Sequence, residues 1–122
     1  MSAGRAVPAE RAGSADRAVF VSDLHIRHFD DEPGRQFRAF LAGLDADVDV
    51  VVVGDLFDWF YGLPGAVPEH LLPVVDALRA RRRVLWIEGN HDMRVGRAIG
   101  PGSVEVREGP VTLHVGRLSL DV

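Results

Sequence analysis

Three small groups of residues carry the side-chain types that hold divalent ions. Asp23 and His25 are separated by one residue, Asp55 and Asp58 by two, and Asn90, His91 and Asp92 are consecutive. Each group directly follows a short apolar run: Ala18 to Val21, Val50 to Val53, and Val84 to Ile87. Gathering so many acids would cost on the order of several kcal/mol in repulsion and desolvation unless a cation neutralised them. Aspartate, histidine and asparagine, in a chain with no cysteine, suit Mn²⁺, Fe²⁺ or Zn²⁺ better than an oxygen-only Ca²⁺ site. Two such ions about 3.5–4 Å apart, bridged by a carboxylate, would clamp a phosphate and activate water.

The elements that must position these groups are legible from apolar period. Four consecutive valines, Val50 to Val53, read as a strand buried on both faces, and Gly54 lets the chain turn sharply after it. Ala18–Val21 and Val84–Ile87 read as two further strands. Between them, Pro33–Leu44 reads as a helix with Phe37, Phe40, Leu41 and Leu44 at helical spacing, and Pro33 suits its first turn. Pro68–Ala80 reads as a second helix with Leu71, Val74, Val75 and Leu78 on one face, its start delayed by Pro73. Strand, helix, strand, helix, strand implies parallel pairing with right-handed crossovers, which puts the three polar groups on one edge of the sheet. Runs at Val104–Val106, Val111–Val115 and Leu118–Val122 read as strands joined by hairpin-like turns at Glu108-Gly109-Pro110 and Gly116. Residues 1–17, rich in Ala, Gly, Ser and charge, read as a disordered tail, and 18–122 as one domain.

Composition narrows the function. A formal net charge of −4 argues against a nucleic-acid binder that relies on bulk positive charge. All 14 basic residues are arginine. No apolar run approaches a membrane span and no secretory h-region opens the chain, so the expected location is cytoplasmic. No glycine-rich phosphate loop is present, which counts against an ordinary nucleotide-binding domain.

Asp23-x-His25, Gly54-Asp55-x-x-Asp58 and Gly89-Asn90-His91-Asp92, in that order and each after a strand, resemble the calcineurin-like metallophosphoesterase signature. The resemblance implies an α/β fold, a metallophosphoesterase-like β-sandwich flanked by helices, whose N-terminal portion is built of βαβαβ units. It implies two divalent ions, Mn²⁺ with Fe²⁺ or Zn²⁺ as alternatives. Asp23 and His25 would ligate the first, Asp55 would bridge both, and Asn90 would ligate the second. His91 would hydrogen-bond the phosphate or leaving oxygen, with Asp58 or Asp92 orienting it. The reaction implied is hydrolysis of a phosphodiester or diphosphate by a water that the two metals activate.

The longer string from Gly54 to Phe60 is similar to the UDP-2,3-diacylglucosamine pyrophosphohydrolase branch of lipid A synthesis. That likeness implies cleavage of a nucleotide-diphosphate substrate to UMP and 2,3-diacylglucosamine 1-phosphate, and with it peripheral contact with the inner membrane. The family pattern continues with histidine blocks that this chain does not carry. The expectation is therefore a domain incomplete at its C-terminus, with a split or truncated half that has no catalysis of its own as the alternative.

Other residues have plainer readings. His28 and His70 are expected at the surface, and His114 lacks a ligand context. Trp59, Phe60 and Tyr61 could line an acyl or nucleoside pocket, with core packing of at least two the more economical reading. Arg27, Arg94 and Arg97 stand in or near the ligand loops and could bind phosphate or simply face solvent. Arg81-Arg82-Arg83 reads as a solvated helix end, with a phosphate or membrane patch as the alternative.

Overall fold

A computed structural model of the chain describes residues 17–58, 60–61, 64–89, 92–109, 111–115 and 118–121. The expected tail falls outside these residues except for Arg17, which the fold already engages. Its guanidinium reaches Asp45 at 3.2 Å and Asp47 at 2.9 Å, and its carbonyl accepts from the Asp49 amide at 3.1 Å.

The chain runs β1 (Ala18–Val21), α1 (Glu32–Gly43), β2 (Asp49–Val53), β3 (Phe60–Tyr61), a single 3₁₀ turn (Glu69–Leu71), α2 (Leu72–Arg79), β4 (Val84–Ile87), β5 (Asp92–Met93), α3 (Val95–Ile99), β6 (Val104–Arg107), β7 (Thr112–Val115) and β8 (Leu118–Asp121). Strands β1, β2, β4 and β6 lie in that order in one sheet, every neighbouring pair parallel. Helices alternate with these strands, so the mixed α/β expectation holds. Val104 to Arg107 differs from the sequence reading. It does not turn back into a hairpin but pairs in parallel with β4, after the crossover through the short α3. The hairpin itself is β7 with β8, antiparallel, Val115 opposite Leu118.

Strand alternation divides the core in two. Val50, Val52, Val84, Trp86 and Val104 face the helices and meet Phe37, Leu41, Val74, Val75 and Leu78. Val51, Leu85 and Ile87 face the other way and are covered by Val111 and Leu113. Val50, Val51 and Val52 of β2 accordingly show almost no solvent on either side, and Val53 is partly exposed.

Helix α1 starts at Asp31, whose Oδ1 accepts from the Gly34 amide at 2.8 Å, with proline in the first turn. Phe37 and Leu41 are buried, whereas Phe40, expected on the same face, is 43% exposed. One step of 100° from Leu41 carries it off the edge of the apolar stripe. Helix α2 begins only at Leu72 because Pro73, lacking an amide hydrogen, is tolerated in the first turn and not further in.

Arg81 is a second correction. It is not part of a solvated cluster but is buried, 8% exposed. Its guanidinium donates to the carbonyls of Leu41 (3.4 Å), Leu44 (2.9 Å), Asp45 (2.6 Å) and Val48 (2.8 Å). It therefore supplies a donor to the carbonyls of Leu44 and Val48 and a second donor to those of Leu41 and Asp45, which also accept from the Leu44 and Val48 amides.

Candidate metal centre

The site begins where β1 and β2 stop and their pairing does not. Beyond Val21 the two chains continue side by side through loops. The Asp23 amide donates to the Gly54 carbonyl (3.4 Å), that of His25 to Asp55 (3.2 Å), that of Ile26 to Leu56 (2.9 Å) and that of Asp58 to Ile26 (2.9 Å). Ile26 and Phe57, both fully buried, form the last bridge. Two apolar anchors thus fix the loops from below while the polar residues between them stay at the rim.

The backbone conformation at the rim is unusual. Asp23, His25 and Asp55 have φ of 57°, 50° and 52°, in the left-handed region, and Gly54 precedes Asp55 at 67°. A non-glycine residue there costs about 1–2 kcal/mol. Asp and His tolerate it better than most residues. The three strained positions are the three that sequence reasoning selected as ligands from these loops, and the left-handed turns bring them together. Donor atoms of Asp23, His25 and Asp55 all lie within 4.8 Å of one another.

These residues fit a borderline divalent ion. Donors bound at about 2.0–2.2 Å can stand no more than about 4.4 Å apart, so the group needs to close by only a few tenths of an ångström. Two carboxylates and one imidazole neutralise a divalent charge and suit Mn²⁺, Fe²⁺ or Zn²⁺. His25 lies between acids: its Nε2 is 3.9 Å from Asp23 Oδ1, and its Nδ1 is 3.6 Å from Asp58 Oδ1.

Gly89, at the end of β4, forms the floor. A Cβ there would stand 2.7 Å from both the Asp55 amide nitrogen and Asp55 Oδ1, and 2.8 Å from Gly54 Cα. The Gly54 amide donates to the Ile87 carbonyl at 2.8 Å, which draws the two strand ends together. The sequence block Gly-Asn-His-Asp therefore opens on a glycine because the backbone and carboxylate of Asp55 and the Cα of Gly54 occupy the space a side chain would take. Sequence reasoning quoted Gly89 as part of a pattern without this role. The contact across strands, which no local spacing reports, is the signal that was missing.

The other expected site residues fare differently. Asn90 and His91 lie outside the described residues. The backbone of Asp92 pairs with Phe60 in the small β3–β5 sheet. Asp58 was expected beside His91; among the described residues it meets His25 and Arg27, whose Nε donates to its Oδ2 at 2.8 Å. Arg27 thus has a carboxylate partner at the site. Arg94 and Arg97 are exposed on and beside α3.

Of the aromatic trio, Phe60 packs in the core against Phe57, ring centres 5.4 Å apart, and Trp59 lies outside the described residues. His28 and His70 are exposed as expected, their rings 6.3 Å apart. Asp31 had drawn no notice. Its Oδ2 accepts from the amides of Arg27 (2.9 Å) and His28 (3.2 Å), tying the ligand loop to the start of α1.

No helix among the described residues is long and apolar enough to cross a membrane. In comparison with known proteins, residues 17–115 match the family model described as calcineurin-like phosphoesterase. No curated protein matches the chain.

Proposed function

The chain belongs to the calcineurin-like phosphoesterase family, and on that footing we propose that it is a metal-dependent hydrolase of phosphodiester or diphosphate bonds. The observation that carries this reading is the convergence of Asp23, His25 and Asp55 donor atoms within 4.8 Å, at the carboxyl ends of adjacent parallel strands. Asp23 and His25 would hold one ion and Asp55 would bridge to a second, which Asn90 would help to hold. Bound there, the ions would supply Lewis-acid stabilisation of the phosphate charge and a water acidic enough to attack at neutral pH. His91 would then stand as the hydrogen-bond donor to the leaving oxygen, with Asp58 or Asp92 orienting it.

The chain's own residues contribute rigidity. The paired loops keep Asp23 and Asp55 in register, and Gly89 leaves room for the Asp55 carboxylate at the base of the site. The narrower substrate is a UDP-linked diacylglucosamine, cleaved to UMP and the sugar 1-phosphate at a membrane surface. Its support is the likeness of the Gly54–Phe60 string to that branch of the family.

The test is hydrolysis of bis-p-nitrophenyl phosphate with Mn²⁺, by the chain as it stands and by Asp55→Ala. Turnover that falls at least about a hundredfold in the variant supports the reading. Mn²⁺ binding without turnover in the unaltered chain would favour a half-site that needs further segments for catalysis. Absence of both Mn²⁺ binding and turnover would overturn the proposal.

A further inference from the structure

Among the described residues, the four-stranded sheet ends laterally at β1 on one side and at β6 on the other. We propose that β6 pairs with itself: a second copy of this chain adds its own β6 in antiparallel register, about a two-fold axis through Val106, and joins the two sheets into one.

The backbone groups of a strand alternate in direction. The carbonyls of Ser103 and Arg107 accept from the Val84 and Glu88 amides at 3.0 and 2.9 Å, so residues 103, 105 and 107 turn their N–H and C=O towards β4. Val104 and Val106 therefore turn theirs outward, where the sheet has no further strand among the described residues. Two clefts of about 440 and 410 Å³ run along this side, both bounded by Gly96 and Val106. Helix α3 lies close over the strand, a Cβ at Gly96 standing 3.4 Å from Val106 Cβ, yet Val106 stays partly exposed.

An open edge invites another strand, and natural edges are blunted by proline, a bulge or like charges. The strand β6, Val-Glu-Val-Arg, has no proline, and its two charges are of opposite sign. That pattern complements itself in one register. Hydrogen bonds across an antiparallel pair join outward residues to outward residues, so the two-fold axis must pass through a residue position. Centred on Glu105, the pair would set Glu105 against the partner's Glu105. Centred on Arg107, it would set Arg107 against the partner's Arg107. Centred on Val104, it would leave Glu105 opposite the partner's Ser103.

Centred on Val106, Glu105 stands opposite the partner's Arg107, and Arg107 opposite the partner's Glu105. Opposite charges favour such cross-strand pairs and like charges oppose them. Within each strand Arg107 Nε already donates to Glu105 Oε2 at 2.9 Å, so the four side chains form a square of alternating sign. Val104 and Val106 face the helices, which puts this square on the other face of the sheet and sets Val106 against the partner's Val106 on the helix side. The opposite lateral strand, β1, is Ala-Val-Phe-Val and has no charge with which to choose a register. Antiparallel pairing points the carboxyl ends of the two sheets in opposite directions, so the two metal centres open on opposite sides of the dimer.

Small-angle X-ray scattering at about 0.1–1 mM reads the mass in solution. The wild type is expected to reach the mass of a dimer. Glu105→Arg and Arg107→Glu each set like charges opposite one another and are expected to weaken self-association at least about tenfold. One variant then carries two positive charges on β6 and the other two negative, so mixing them in equal amounts is expected to restore the dimer. Val106→Pro removes the central outward N–H, which an edge strand can lose without breaking its own sheet, and is expected to be monomeric. Urea unfolding shows which variants are folded.

A wild type that stays monomeric over this range overturns the proposal. So does a dimer that the folded charge variants leave unchanged, or a mixture no more associated than its two components. If a charge variant does not fold, the wild-type mass and Val106→Pro decide, and a dimer that survives the proline overturns the pairing.

Discussion

At the scale of single residues, the site depends on what glycine lacks and aspartate tolerates. Gly54 and Asp55 are consecutive left-handed residues, φ 67° and 52°, at the turn where the Asp55 carboxylate meets the donor atoms of Asp23 and His25 on one side and Gly89 on the other. Gly89 must then be bare, because its Cβ position is 2.7 Å from that carboxylate. Gly89→Ala is expected to displace Asp55, lower Mn²⁺ affinity at least about tenfold and cost about 1–3 kcal/mol of stability as an overpacked contact. Calorimetric titration and urea unfolding would check the two effects separately, and a variant with unchanged affinity would show that the floor is soft. That Asp23, His25 and Asp55 would converge was legible from the sequence, since each follows an apolar run that reads as a strand of one parallel sheet. The left-handed backbone beneath them and the partner of Gly89 were not. A missing side chain gives no sign of what fills its place, and Gly54 and Gly89 are 35 positions apart.

At the scale of elements, the longer strands and the two longer helices followed from apolar period, whereas the two-residue β3 and β5 did not. What escaped was everything set by contacts between elements. Helix α3 has only five residues, too few to show a period, so the crossover to β6 was invisible and Val104–Arg107 looked like half of a hairpin. Arg81 escaped for a related reason: its partners are backbone carbonyls 33 to 40 positions away, and backbone atoms leave no mark in a sequence. Arg81 ties the end of α1 and the entry to β2 onto the end of α2. Replacing it by methionine keeps the aliphatic bulk but removes the guanidinium from four carbonyls, of which those of Leu41 and Asp45 keep a backbone amide donor. The expected loss is about 2–3 kcal/mol in urea unfolding. Arg81 precedes β4 at the sheet edge away from the metal centre, so hydrolysis per folded molecule should stay within a factor of about two. A large change in turnover at unchanged stability would show that the two edges of the sheet are coupled.

At the scale of the whole molecule, the parallel sheet has two unlike edges. The carboxyl ends of β1 and β2 carry acids at a solvent-facing rim, where Asp23 and Asp55 converge with His25. The opposite edge carries Asp49 at the start of β2, 3% exposed, with Oδ2 making no hydrogen bond. Burial pushes the Asp49 carboxyl above the ordinary value of 3.8, against the weaker pull of Arg83, Arg82 and Arg81. The sign of the consequence follows from proton counts. Between 3.8 and the raised value, the folded chain keeps a proton that the unfolded chain has released, so stability falls as pH rises through that window and stays lower above it. Asparagine has the same shape and no charge to bury. Asp49→Asn should therefore be more stable than the wild type at pH 7.5, with the gain shrinking towards nothing as the pH drops below 3.8. Urea midpoints of both proteins across that range would show it. A gain that does not depend on pH would mean that shape, not charge, governs the position, and a loss at pH 7.5 would mean that the three arginines hold the carboxylate more tightly than burial opposes it.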